Sequence, residues 1–173
     1  MQLLTVGKRA ILEYKTRLGS QSTITLMSYS LLQPPSGQPS QQFQLHNYNY
    51  VDEYGNTLYH YAAMNNDIRD LHLLLERATI SINTRNSRGQ TPLHLAAASG
   101  HAECVGCLLT HKDIDINVQD TRKQNALHFS AVNGHDQCVR LLMTSQRISI
   151  NEPNDKGETA LLVATKQHNN NCV

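Results

Sequence analysis

Two patterns of histidine and cysteine could carry chemistry. The first is spaced by three, three and four residues, which resembles the spacing of zinc ligands: His101, Cys104, Cys107 and His111. On one helix, Cys104 and His111 would lie about 10 Å apart, because each residue rises by about 1.5 Å. Zinc binds its ligands at about 2.0–2.3 Å, so at most two of the four could share an ion. The spacing therefore predicts buried thiols, with neither a metal nor another cofactor.

The second pattern is a series of three histidines at intervals of 34 residues: His60, His94 and His128. Histidine is a common general base at neutral pH and a common pH sensor. However, the chain has no Ser–His–Asp or Cys–His set at a suitable spacing, and it has no glycine-rich phosphate loop. The paired carboxylates of Asp113 and Asp115 are expected to be solvated. We therefore predict that the chain is not an enzyme.

The charge balance argues against nucleic acid as a partner. The 173 residues carry 15 Lys and Arg against 14 Asp and Glu, a net charge of +1. The part after residue 50 carries 11 against 13, although it includes a possible basic stripe: Arg85, Arg88, Arg122, Lys123 and Lys156. No apolar run reaches the roughly 18 residues of a membrane span, so none is predicted. Four cysteines do not make a disulfide framework, which favours the cytoplasm or the nucleus.

The N-terminal part differs in composition from the rest. Residues 1–32 form a predicted N-terminal segment, with a short helix that ends at Gly19 and a β-prone stretch over 23–31. A basic amphipathic address or membrane-surface helix over residues 1–17 is the alternative interpretation. Residues 33–49 are rich in Pro, Gln and Ser, which predicts a flexible linker. We expect this whole part to be poorly ordered.

From about residue 50 the sequence repeats with a period of 34. The step is clearest at Gly55, Gly89, Lys123 and Gly157. A fixed period of about 20–50 residues is typical of solenoids, in which each unit buries its apolar face against its neighbours. The predicted units are 50–83, 84–117, 118–151 and an incomplete 152–173.

One unit carries the motif of a known family. Thr91-Pro-Leu-His-Leu-Ala-Ala97 is similar to the signature of ankyrin repeats, and the resemblance extends to the end of the chain. It implies an all-α solenoid of helix-loop-helix units with β-hairpin fingers, in which the recurring histidines bridge neighbouring repeats. Thr91 and Pro92 are expected to begin a helix, and Gly100 to end it. The Ile-x-Ile-Asn segments are expected to form short strands at 80–83, 114–117 and 148–151.

The resemblance also implies a function. Ankyrin repeats are protein–protein interaction modules, scaffolds or adaptors that bind another protein on a concave surface. They display variable side chains at the finger tips and near the ends of the first helices. The predicted partner-binding residues are Tyr54, Met64, Arg88, Ser99, Arg122, Val132, Asn133, Lys156 and Lys166. We expect a monomer.

A second interpretation stays open. The last unit stops at Val173, where a second helix should rise, which favours a fragment of a longer protein. The repeats would then be a regulatory segment of an enzyme, a channel or a transcription-factor inhibitor. Asp52-Glu-Tyr-Gly-Asn-Thr57 is similar to the opening of the first repeat in inhibitors of the NF-κB type.

One asparagine is a candidate for modification. Leu109-Thr-His-Lys-Asp-Ile-Asp-Ile-Asn-Val118 is similar to the pattern used by the ankyrin-directed asparagine hydroxylase, and Asn117 would be the acceptor. Asn83 and Asn151 match less well, because serine replaces the acidic residue of the pattern. Asparagine at this position is also expected to hydrogen-bond the finger backbone, whether or not it is modified.

Overall fold

The computed structural model describes residues 48–169 and Cys172. The helix and β-prone stretch predicted before residue 48 lie outside these residues. Seven helices occupy the described part: α1 (Leu58–Asn65), α2 (Ile68–Arg77), α3 (Pro92–Ser99), α4 (Ala102–Leu109), α5 (Ala126–Val132), α6 (Asp136–Thr144) and α7 (Ala160–Lys166). The predicted all-α solenoid is confirmed. Within the described residues, no helix has the length and apolar character that crossing a bilayer requires.

The helices form two layers that follow the repeat. The inner helices α1, α3, α5 and α7 pack in series against one another, and the outer helices α2, α4 and α6 do the same. Each inner helix also packs on the outer helix that follows it in its own unit. No unit is a domain by itself, so most of its stability comes from contacts with its neighbours.

The inner helices are thin because their packing faces are built from alanine. Ala96 and Ala97 of α3 are fully buried, and small side chains let adjacent helices approach closely. Thr91 is the N-cap of α3, and Pro92 occupies its first turn, where a missing N–H leaves no bond unmade. Gly100 ends the helix with a left-handed backbone, at φ 73°. All three expectations for this helix are confirmed.

The outer helices each bury an apolar stripe. In α4 the stripe is Cys104, Val105 and Leu108, all with no exposed surface. The matching residues Cys138 and Leu142 of α6 are equally buried. Burying one such aliphatic side chain contributes about 1.5–3 kcal/mol, so these stripes hold the outer layer together. The prediction that the two cysteines lie in the core is confirmed.

The fingers are tight hairpin turns, and the predicted strands are absent from the described residues. In the second finger the N–H of Asn86 donates to Gln90 O at 2.9 Å, and the N–H of Gly89 donates to Asn86 O at 2.8 Å. Gly89 has φ 73°, so the loop is a turn closed by one left-handed residue. The single β-bridge of the described part joins Val51 and Thr57.

The Ile-x-Ile-Asn segments form turns and irregular backbone, so the strand prediction is wrong. Their alternation comes from isoleucines that point into the core, such as Ile114 and Ile116. Their backbone has no extended partner segment. Instead the N–H of Asp115 donates to the carboxamide oxygen of Asn83 at 3.0 Å. A side chain of the preceding unit therefore replaces the ladder that a strand would need.

Candidate functional site

The three recurring histidines lie at the junctions between units. His94 Nδ1 accepts a hydrogen bond from the N–H of Thr91 at 3.0 Å, which completes the capping box of α3. Its Nε2 lies 3.0 Å from Gln124 O in the next unit. Because the carbonyl can only accept, Nε2 carries the proton. The ring thus caps its own helix and bridges to the following repeat.

The same bridge recurs in the neighbouring units. His60 Nε2 lies 2.9 Å from Gln90 O, and His128 Nε2 lies 3.1 Å from Glu158 O. All three rings are buried. The prediction that these histidines bridge neighbouring repeats is confirmed.

Burial sets the protonation state of these rings. Desolvation lowers the pKa of His94 to about 4, against a smaller opposing effect of its bond to Gln124 O. Burial likewise lowers the pKa of His60 and of His128. The rings are therefore neutral at pH 7, and their nitrogens already hold cap and bridge bonds.

A second series of side chains reaches back to the preceding unit. His101 Nδ1 lies 2.9 Å from Ala63 O, and His135 Nε2 lies 3.0 Å from Ala98 O. Asn169 takes the same place in the last unit and donates to Ala131 O at 2.8 Å. Sequence analysis missed this series, although its members are 34 residues apart, because the residue type changes from histidine to asparagine.

Asparagines form a third series along the outer edge of the repeats. Asn117 donates from Nδ2 to Arg147 O at 2.7 Å and accepts from the N–H of Ser149 at 2.7 Å. Asn83 makes the equivalent bonds, donating to Asp113 O at 2.7 Å. The expected structural role of this asparagine is thus present in both units. An open depression of about 640 Å³ lies beside Asn117.

The asparagine series begins earlier than the predicted first unit. Asn49 accepts from the N–H of Thr79 at 2.9 Å and from the N–H of Ile80 at 3.1 Å. It precedes Asn83 by one period. A residue placed in the linker by composition therefore bonds to the repeats.

The histidines and cysteines that resemble zinc ligands point to different neighbours. Cys104 is buried, and desolvation raises the pKa of its thiol to about 12. His101 is held by the carbonyl of Ala63, as described above. Cys107 Sγ lies 3.9 Å from both ring nitrogens of His72 in the preceding unit, and it faces α2. Among the described residues, no three His, Cys, Asp or Glu side chains converge as metal ligands would.

The finger tips are joined into one row by backbone hydrogen bonds. The N–H of Ser87 donates to Tyr54 O at 2.8 Å, and the N–H of Thr121 donates to Arg88 O at 3.1 Å. The third link runs from the N–H of Asp155 to Arg122 O at 2.9 Å. The structure therefore brings the predicted finger residues together in register. The exposed fraction of Tyr54 is 58%, so its ring lies free at one end of the row.

A family model of three ankyrin repeats matches residues 36–120 and 107–173. The chain is an ankyrin-repeat protein. Such repeats are protein-interaction modules, and the family is generally non-catalytic. No curated protein matches the chain.

The ankyrin fingers and inner helices expose most of the predicted partner-binding residues. Eight of the nine are exposed, and Val132 is half-buried. Two exposed members are engaged within the ankyrin stack. Lys166 Nζ pairs with Glu158 Oε1, and Asn133 Nδ2 donates to Phe129 O at 2.9 Å. We name the nine residues the display surface.

Two arginines of one ankyrin finger have different surroundings. Arg85 Nη2 donates to Gln119 O at 2.9 Å, and its Nε donates to Gly89 O at 3.2 Å. Arg85 is thus tied to the backbone of its own and the next finger. Arg88 is exposed, and in the described part the ion pairs are Arg140–Asp136 and Lys166–Glu158. Its guanidinium is therefore available to a partner.

The first ankyrin finger has a polar anchor that sequence analysis did not find. Asp52 accepts from the N–H groups of Tyr54 and Asn56, and from the hydroxyl of Tyr61 at 2.6 Å. Burial raises the pKa of this carboxyl, but the bonds from Tyr61 and Asn56 outweigh it, so the pKa is lowered. Burial and the same bond raise the pKa of Tyr61. Tyr61 thereby secures the finger that presents Tyr54.

Proposed function

We propose that this ankyrin stack is a non-catalytic scaffold or adaptor that binds another protein on the display surface. One observation carries the proposal. The finger tips are locked in register by backbone bonds that require no particular side chain, from Ser87 to Tyr54 and from Thr121 to Arg88. The side chains at these positions are therefore free to vary and yet are held at fixed spacing. Rigid presentation of varied groups lowers the entropy that binding must overcome.

The experiment compares the full chain with two fourfold alanine variants by affinity capture. The test variant replaces four exposed members of the display surface: Tyr54, Arg88, Arg122 and Lys156. The control variant replaces one apolar residue and three cations that are exposed on the outer helices: Met143, Arg69, Arg77 and Arg140. We expect the test variant to lose partners that the control variant retains. Equal partner sets for both variants would contradict the proposal.

The state and compartment of the protein are part of the same proposal. We infer a monomer in the cytoplasm or the nucleus, since the described cysteines are all free thiols: Cys104, Cys107, Cys138 and Cys172. Light scattering on the purified chain measures its mass, and a dimer mass would contradict the monomer. Localisation of the tagged chain to a secretory compartment would contradict the proposed location.

We also propose that Asn117 is hydroxylated by the ankyrin-directed asparagine hydroxylase. The resemblance of residues 109–118 to the recognised pattern supports this. Both polar atoms of the Asn117 side chain hold bonds to the next unit, so the segment must open locally before an enzyme can bind it. Mass spectrometry after treatment with the enzyme should show one added oxygen on the peptide that contains Asn117. Asn83, which lacks the acidic residue, is the internal control. No addition at Asn117 would contradict the proposal.

A further inference from the structure

Four cations occupy the tips of three consecutive fingers. They are Arg88, Arg122, Lys123 and Lys156, and all four are exposed. None of them takes part in the ion pairs found among residues 48–169. We call these four residues the basic row. Exposed like charges in a row repel one another, so their arrangement gives the isolated stack no stability.

Lys123 has an unfavourable backbone. Its φ is 57°, in the left-handed region, and Gly55, Gly89 and Gly157 occupy the equivalent position in the other units. A side chain with a Cβ is disfavoured in this region, whereas glycine enters it freely. The side chain of Lys123 is exposed, so it is not retained for burial. Strained positions of this kind concentrate at functional sites.

The spacing of the basic row suits an extended chain. Packed helices of successive units lie about 8–10 Å apart, and each finger is fixed to its unit. An extended peptide rises by about 3.3 Å per residue. Every third residue of such a peptide would therefore meet a new finger.

We propose that the basic row binds an extended protein segment with acidic residues at every third position, and that Lys123 contacts its central carboxylate. This inference rests on the proposed function and names the chemistry of the partner. A uniform polyanion fits less well, because the acidic tips Glu53 and Asp155 flank the row. The part of the chain after residue 50 also carries more acidic than basic residues, 13 against 11. A segment with spaced acids can place neutral residues opposite those two tips.

The test measures binding of labelled peptides to the full chain by fluorescence anisotropy at about 0.05 M salt, where surface charges are weakly screened. One peptide carries four glutamates at every third position, and a second carries the same residues with the glutamates clustered. A DNA duplex and vesicles with anionic lipid are the other two probes. The protein variants are Lys123→Gly and the matched control Lys112→Gly, an exposed lysine in the turn after α4.

We expect the spaced peptide to bind more tightly than the clustered one. Lys123→Gly should weaken the spaced peptide about threefold, the size typical of one exposed charge pair, while Lys112→Gly leaves it unchanged. The melting temperature of Lys123→Gly should stay the same or rise, because glycine relieves the left-handed backbone. Loss of binding together with a raised melting temperature separates recognition from folding.

Other outcomes overturn the inference. They are equal effects of the two lysine variants, equal binding of the two peptides, tighter binding of DNA or vesicles through Lys123, and no peptide binding. If the affinity capture described above still depends on the display surface, only the acidic chemistry is wrong. If that capture fails as well, the proposed function itself is wrong.

Discussion

At the junctions between units the same residue types recur in three consecutive repeats, whereas at the finger tips the residue changes in every repeat. His60, His94 and His128 make one bond to the next unit with the same geometry each time. The tips present Tyr54 in the first finger and Arg88 in the second. Junction side chains are buried and satisfied by the stack, and tip side chains are exposed and joined only through their backbones.

This difference separates two roles within one period. A recurring buried polar residue fixes the geometry of the stack, because losing its partner leaves a desolvated group. A varying exposed residue contributes little to folding, so it is free to serve recognition. The comparison makes quantitative claims about junction residues, about glycines that allow close contact, and about tips.

The largest expected effect is the response of the junctions to acid. The pKa of His94 falls to about 4 in the folded state, and that of His60 and His128 also falls, so the unfolded chain binds more protons below pH 6.5. The free energy of unfolding should therefore drop by about 3 kcal/mol between pH 7 and pH 4 from His94 alone. Urea denaturation across this range measures it.

A variant of an exposed histidine is the matched control for that titration. His72→Ala removes a ring on the surface of α2 and should leave the pH profile unchanged. A flat profile between pH 7 and pH 5 in the unchanged protein would show that the junction histidines are not held neutral by the fold.

The second effect concerns the close approach of two units. Gly100 has φ 73°, and a Cβ there would lie 2.7 Å from His135 Nδ1. Gly100→Ala should therefore destabilise the protein by about 1–3 kcal/mol. Gly106→Ala is the control within the same unit, since it is helical with open space around it. That control should stabilise by about 0.5–1 kcal/mol in thermal denaturation. Equal signs for the two variants would contradict the close contact.

The third effect repairs one junction. Asn125 occupies the cap position that Thr91 holds in the preceding unit, and its Nδ2 is buried with no partner. Its carboxamide oxygen faces both the N–H of His128 at 3.2 Å and His128 Nδ1 at 2.7 Å, although an oxygen of this type can only accept. A threonine hydroxyl can accept one bond and donate the other. Asn125→Thr should therefore raise the free energy of unfolding by about 1 kcal/mol. A loss of stability would show that the amide is satisfied.

The smallest effect distinguishes two arginines of one finger. Arg85→Ala removes bonds to Gly89 O and Gln119 O and should destabilise by about 1 kcal/mol. Arg88→Ala removes an exposed side chain and should change stability by less than about 0.5 kcal/mol. Chemical denaturation of both variants at one pH measures the difference. A larger loss for Arg88→Ala would break the division between junction and tip.

Sequence alone predicted the features that the period marks with a constant residue type. The junction histidines, the buried cysteines and the cap and end of α3 all belong to this class. It could not predict bonds in which the residue type changes while the geometry stays, such as His101 and Asn169. It predicted strands where isoleucines alternate, because periodicity reports burial and says nothing about a pairing partner.

The display surface shows the same limit. Arg85 and Arg88 are three residues apart and look alike in the sequence. Only the position of Gln119 O, more than thirty residues away in the chain, decides that one of them is tied to the stack. The left-handed backbone of Lys123 was implied by its place in the glycine series, and its exposure was not.

The bonds between units run in both directions along the chain, which has a consequence for synthesis on the ribosome. His101 and Asn169 reach carbonyls of the unit made before them, so these bonds close as soon as the new unit emerges. His94 reaches Gln124 O in the unit made after it. Until that unit appears, the ring nitrogen lacks its acceptor. Each repeat is thus anchored by its predecessor and completed by its successor, and folding follows the order of translation.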